Sequence, residues 1–162
     1  AIYLGVLLSL VLYLRRTSKP NITALASSRS AKKLVDVKRS DLPECDAMKI
    51  IRIDGSLFFG AVDYVQTALM AIPQKHVLIV ASGINFIDLA GTELLANEAK
   101  RLAAKGGGLY LCNLNGRVIK PIIRNGHLNT IGKRHIFATK ALALSTIDAK
   151  LSDHSCAGCE NR

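Results

Sequence analysis

The chain has 162 residues, 21% of them charged, and a formal net charge of +10. That is enough length for one domain with its own core, and the charge favours anionic surfaces as partners. Its cysteines, Cys45, Cys112, Cys156 and Cys159, show no paired framework, which argues against a small disulfide-stapled secreted scaffold.

The first element is the apolar run Ala1 to Leu14, uninterrupted by charge. A bilayer-spanning helix needs about 20 such residues, so this run is too short to span alone. It reads as the end of a transmembrane helix whose upstream part is missing, since the sequence begins with Ala rather than Met. A secretory signal fits less well: no basic region precedes the run, and Arg15-Arg16 follows where small residues are expected. A soluble core helix is disfavoured by Tyr3 and Tyr13 near the two ends, where tyrosine meets membrane interfaces.

Residues 15–46 are expected as a basic juxtamembrane linker. Between 15 and 39 there are eight Lys/Arg and one acid, Asp36. Directly after an apolar helix, such charge points to the anionic cytoplasmic leaflet, at about 1 kcal/mol per nearby cation, and not to nucleic acid. Arg15, Arg16, Lys19, Lys32 and Lys33 are the candidate membrane-surface residues. Ser27-Ser-Arg-Ser30 and two prolines predict loop with short extended pieces.

The domain proper is expected over 47–149, followed by a polar tail, 150–162. Ile50 to Asp54 alternates as a strand, Gly55 breaks it, and Leu57-Phe58-Phe59 predicts a second short strand, together a hairpin. Val62, Val65 and Leu69 fall at helical spacing, with Pro73 just beyond. His76 to Ala81 is the continuous apolar run of a strand covered on both faces. Ile84 to Leu95 then runs from strand through an acidic, glycine-bearing turn into an amphipathic helix. Leu95, Ala99 and Leu102 form its core stripe, Glu93, Asn97, Lys100, Arg101 and Lys105 its outer face, and Gly106-Gly-Gly108 its stop. Arg117 to Asn125 is expected as a helix with Pro121 near its first turn, and Ala141, Leu142 and Leu144 mark a last helix. Strands alternating with helices predict an α/β fold, a mixed sheet with helices packed on it.

Asp88-Leu89-Ala90-Gly91 resembles the D-x-[ST]-G loop of STAS domains. That fold is shared by bacterial anti-sigma-factor antagonists and the cytoplasmic tails of sulfate-permease-type anion transporters. The similarity runs in order from Lys49 to Ile147, through Ile50 to Phe59, Ala61 to Met70, the loop itself, Gly108 to Cys112 and Ile131 to Phe137. Together with the apolar start, it resembles the transporter branch: a STAS domain preceded by a partial transmembrane helix and linker. The resemblance implies a regulatory domain at the inner or plasma membrane, with the STAS part in the cytoplasm. Its implied partners are the transmembrane domain of the same transporter and a cytoplasmic protein or nucleotide regulator. In the antagonists the residue before the loop glycine is the phosphorylated Ser or Thr, and here it is Ala90. That absence points away from a phosphorylation switch and toward the transporter branch.

The regulatory or partner-binding residues are then Asp88, Leu89, Ala90, Gly91, Thr92, Glu93 and Asn97. Gly91 permits close backbone approach, and Asp88 supplies a carboxylate that holds the turn or meets a partner. Thr92 is expected as the helix N-cap. No catalytic constellation is legible, and neither enzyme activity nor a cofactor or metal is expected. His76, His127, His135 and His154 are widely spaced. Cys156-Ala-Gly-Cys159 with His154 lacks a further zinc ligand. Gly106-Gly-Gly108 lacks the pattern of a phosphate loop. A second basic cluster, Arg117, Lys120, Arg124, Lys133, Arg134 and Lys140, lies in a stretch from 115 to 147 with no acid. Solvent is its simplest partner, with lipid headgroups or an acidic protein as alternatives.

Overall fold

The computed structural model describes residues 2–28, 33–36 and 46–151, with backbone alone at 15–17, 27–28 and 33–36. Arg15, Arg16 and Lys33 are therefore placed by backbone only, and Lys32, Cys45, His154, Cys156 and Cys159 lie outside the described residues.

Helix α1 runs Ile2–Thr17, slightly longer than the apolar run that predicted it. At 1.5 Å per residue it is about 24 Å long, short of the roughly 30 Å hydrocarbon core. Among the described residues, no helix is long and apolar enough to cross a membrane. The Ser18 amide donates to the Leu14 carbonyl at 2.9 Å and its hydroxyl to the same oxygen at 2.7 Å. Pro20, without an amide hydrogen, lies just past this end.

The sheet reaches back into the segment expected as linker. Strand β1, Asn21–Ser28, pairs antiparallel with β2, Lys33–Asp36, and with β3, Met48–Leu57. Ile22 and Leu25 pack against the two cores on opposite faces, and Ala26 is buried. Beside them stand Asn21, Thr23 and Ala24, too small or polar to make the alternation readable.

The expected hairpin at Gly55 is instead one strand that changes partner. Met48 to Arg52 of β3 pair parallel with β4, His76–Val80, whereas Gly55 to Leu57 pair parallel with β5, Ile84–Ile87, with a register shift between Gly55 and Ser56. Gly55 takes φ +132°, which a side chain rarely tolerates, and this lets the strand bend without ending. Beyond β4 the sheet continues parallel through β6, Gly108–Cys112, to β7, Ile136–Phe137, giving the order β2-β1-β3-β4-β6-β7 with β5 beside β3.

Period-two alternation along the central strands builds a core on each face. Ile51, Ile53, Val77, Ile79, Leu109 and Leu111 face one side. There they meet α2, Val62–Met70, α3, Leu89–Ala104, α4, Gly116–Arg124, and the short α5, Leu128–Ile131. Ile50, Leu78, Val80, Tyr110 and Cys112 face the other, covered by α6, Lys140–Leu151. Helix α6 covers the stretch marked by Ala141, Leu142 and Leu144. Ala143, Ile147 and Leu151 are buried, Leu144 packs at the core margin, and Leu142 is exposed. Pro121 lies inside α4 rather than in its first turn, leaving the Arg117 carbonyl without the usual i+4 amide.

Candidate functional site

Because β3, β4, β5 and β6 are parallel, their carboxyl ends collect at one edge of the sheet, where α3 and α4 begin. That is the edge of an α/β sheet at which ligands and partners usually bind. Strand β1, antiparallel to β3 with Asn21 opposite Asp54, delivers the end of α1 to the same edge. Ser18 lies beside Gly60 there: a Cβ on Gly60 would be 3.3 Å from the Ser18 Oγ.

Asp88 is committed to holding this edge together. Its Oδ1 accepts the Gly91 amide at 2.9 Å, making Asp88 the N-cap of α3, and its Oδ2 accepts the Phe59 amide at 3.0 Å. The Asp88 amide donates to the Leu57 carbonyl at 3.1 Å. One side chain therefore joins the start of α3 to the turn after β3. Gly91 permits a close approach, as expected, but the approach is to the protein's own strand. A Cβ there would run into the Leu57 carbonyl oxygen and lie 2.8 Å from Ile87 Cγ1.

Thr92 is not the N-cap. It lies within the first turn of α3 and is fully buried; its hydroxyl donates to the Leu89 carbonyl at 2.8 Å and accepts the Asn125 side-chain amide at 3.0 Å. Asp88 outcompetes it because Asp88 takes the extended conformation of an N-cap, with φ −102° and ψ −172°. The predicted regulatory residues therefore separate. Asp88, Gly91 and Thr92 are turned to the protein and Ala90 is half-buried, whereas Leu89, Glu93 and Asn97 are exposed along an i, i+4, i+8 stripe of α3. Phe86, two residues before Asp88, and Phe59, whose amide Asp88 holds, are 54% and 77% exposed, and Leu89 itself is 59% exposed. Neither aromatic is recognisable as a surface group from sequence, because each lies in an apolar stretch that reads as core.

Farther along α3, Glu98 is buried although its neighbours suggest an outer face, and Arg101 pairs with it at 2.6 Å. The guanidinium also donates to the Leu69 carbonyl at 3.3 Å, which ties α3 to α2. Their i, i+3 spacing is the signal that could have found the pair.

On the opposite face, Tyr110 stands between His76 and His135, with ring centroids 6.0 and 4.5 Å away, and the Lys150 ammonium lies 5.6 Å from its ring centre. Burial, with the charges of Lys75 and Lys150, holds the His76 imidazole below its ordinary range; burial and Lys150 do the same to His135. Burial also pushes the Cys112 thiol up to about 11, which keeps it protonated and unreactive at neutral pH. Of the membrane-surface set, the side chain of Lys19 is exposed. Arg117, Lys120 and Arg124 of the second basic cluster share one exposed face of α4, and Lys133 and Arg134 are exposed in the turn after α5.

Comparison with known proteins agrees with this architecture. Residues 39–143 match the family described as STAS domain. YvdB of Bacillus subtilis (strain 168), named as a candidate sulfate transporter, is 26% identical over 136 residues, covering 82% of this chain but 24% of its own length. Among solved structures, the murine Slc26a9 anion transporter in its inward-facing state superposes with a TM-score of 0.79 at 21% identity, over 91% of this chain and 25% of that one. A sulfate transporter family protein from Wolinella succinogenes gives 0.61 at 23%, over 78% of this chain and 97% of that one. An anti-sigma factor antagonist from Mycobacterium paratuberculosis gives 0.58 at 17%, over 79% and 95%. The fold is thus common to transporter domains and antagonists, and this chain spans about a quarter of the transporters it resembles. A mixed sheet with helices on both faces, an Asp-capped helix after β5 and a family match across most of the domain together make this chain a member of the STAS domain family.

Proposed function

We propose that this chain is the cytoplasmic regulatory STAS portion of a membrane anion transporter of the sulfate-permease type, acting by contact and not by catalysis. One observation carries the reading. The large apolar side chains of α1, from Ile2 to Leu14, are all exposed, and that much contiguous apolar surface calls for a bilayer or a membrane domain to cover it. The end of α1 meets the domain at Gly60, next to Phe59, whose amide Asp88 holds. The stripe Leu89, Glu93 and Asn97, with Phe59 and Phe86, is then the contact surface for the transporter's own membrane domain. Asp88 and Gly91 keep that surface rigid. The likeness to YvdB, reaching over 136 residues where the family match covers 39–143, supports the same assignment.

The antagonist reading shares the fold, but the position that would take a phosphate is Ala90, and the nearby Thr92 hydroxyl is buried with both its hydrogen bonds made. In the full-length transporter, Glu93→Ala or Asn97→Ala is expected to alter anion uptake while domain melting and membrane abundance stay near normal. Uptake that changes only when the domain melts or the protein leaves the membrane would make the stripe merely structural.

A further inference from the structure

A second feature of the same edge lies outside the Leu89 stripe. Between the β4–β5 turn and α4 is an open cleft of about 660 Å³, lined by Ser82, Asn85, Asn115, Arg117, Lys120 and Arg124 among others. The three cations recur at i, i+3 and i+7 on the exposed side of α4, while Val118 and Ile122 fill its buried side. Like charges at such spacings repel. Among the described residues none of the three makes an ion pair, and no carboxylate lines the cleft. Asp54, which lies against Gly83 in the β4–β5 turn, is bonded to Arg52 at 2.8 Å.

Helical side chains lean toward the N-terminus of their helix, which carries Lys120 and Arg124 toward the mouth of the cleft. Asn115 is fixed in place: its Nδ2 donates to the Ile84 carbonyl at 2.9 Å and its Oδ1 caps the Arg117 amide at 2.9 Å. Asn115 therefore anchors the cleft wall, and the charges on it have no ion-pair partner among the described residues.

We infer that this cleft binds phosphate groups, through charge-assisted hydrogen bonds from Arg117, Lys120 and Arg124. Two sources carry that chemistry, the headgroup of an anionic lipid and a soluble phosphate compound, and position favours the headgroup. The Gly55 amide donates to the Gly83 carbonyl at 3.0 Å, one residue from Ser82, and a Cβ on Gly55 would lie 3.1 Å from Pro20, just past α1. The cleft thus opens beside the point where the apolar helix enters the domain. Its charge does not depend on the domain's regulating transport, so this inference and the functional reading fail separately.

The test uses the whole chain in micelles of uncharged detergent, with backbone amide shifts as readout. Pyrophosphate, or phosphatidic acid doped into the micelles, is expected to shift the Ser82, Asn85 and Gly116 amides saturably. Replacing Arg117, Lys120 and Arg124 by Gln should weaken that binding about tenfold or more. The charge-matched replacement of the exposed Lys105, Lys133 and Arg134 by Gln should leave it nearly unchanged. If the triple variant melts early, Lys120→Gln alone serves, with a smaller loss expected. Saturation by phosphatidic acid alone assigns the headgroup, and saturation by pyrophosphate alone assigns a soluble ligand; both uphold the site. No saturable shift with either probe, or equal weakening in both charge-neutralised variants, overturns it.

Discussion

Replacing Gly91 with Ala separates the two roles that the loop glycine could have. In a free helix the change gains about 1 kcal/mol, since alanine is the better helix former. Here the added methyl would run into the Leu57 carbonyl oxygen and sit 2.8 Å from Ile87 Cγ1. The obstructing oxygen is backbone in a paired strand and cannot rotate away. Relief requires the first turn of α3 to lift from β3, and that breaks the 2.9 Å bond from the Gly91 amide to Asp88. Overpacking of this kind costs about 1–3 kcal/mol and loss of an N-cap about 1 kcal/mol more, so the balance is about 1–3 kcal/mol of destabilisation. At about 4 °C per kcal/mol for a domain of this size, a 2 kcal/mol loss lowers Tm by about 8 °C. Gly116→Ala is the control: it is the first residue of α4, its nearest neighbour would be Lys120 Cε at 3.9 Å, and Tm should hold or rise. The assay is calorimetric or circular-dichroism melting of both variants beside the parent. A Gly91→Ala protein as stable as the parent would refute the close-contact account and return the glycine to a partner-facing role.

Two further outcomes follow from the geometry. His76 and His135 have folded pKa values below the ordinary 6.5, so as pH falls through about 6.5 the unfolded chain takes up protons first and stability declines; it is insensitive to these groups above about pH 7.5. Changing both to Gln should flatten Tm between about pH 7.5 and 5.5, and an unchanged slope would remove the histidines as its cause. A chain starting at Lys49 lacks β1 and exposes the β3 edge that pairs with Asn21 to Leu25, so it should melt well below one starting at Lys19, with equal melting points showing that β1 adds nothing.

What the sequence made legible was whatever a single period encodes. The run at Val77 to Val80 is apolar at every position because both sheet faces are covered, and Val65, Leu69, Leu95, Ala99 and Leu102 mark helix faces directly. The misses share a physical cause: they depend on partners distant in sequence. Gly55 reads as a strand end, yet its φ of +132° serves a change of pairing from β4 to β5. Strand β1 is held by antiparallel pairing to β3 rather than by its own weak pattern. Leu142 and Ala143 differ by one position, and only the packing of α6 on Tyr110 and Phe137 decides which of them faces inward. The Asp88 loop was visible as a motif, but which of its residues are exposed was not. That depends on the turn at Phe59 and on Asn125, which lie 29 and 33 residues away from the groups they bind.

The division within the loop also bears on how a contact at the stripe would be felt elsewhere. Coupling between sites is carried by packed elements that move together. Here the chain of contacts is short: Leu89, Glu93 and Asn97 ride on α3, Asp88 bonds the start of α3 to the Phe59 amide, and the next residue, Gly60, abuts Ser18 at the end of α1. A partner that tilts α3 must either stretch the Asp88 bonds or carry the Phe58–Gly60 turn with it. Because Gly91 rests against the Leu57 carbonyl, there is no slack for α3 to move inward alone. The same bonds that withdraw Asp88 and Gly91 from direct recognition therefore make the start of α3 and the end of α1 one mechanical unit. A regulatory contact on the exposed stripe would act through that unit, and Asp88→Ala should weaken the transmission even where the stripe itself is intact.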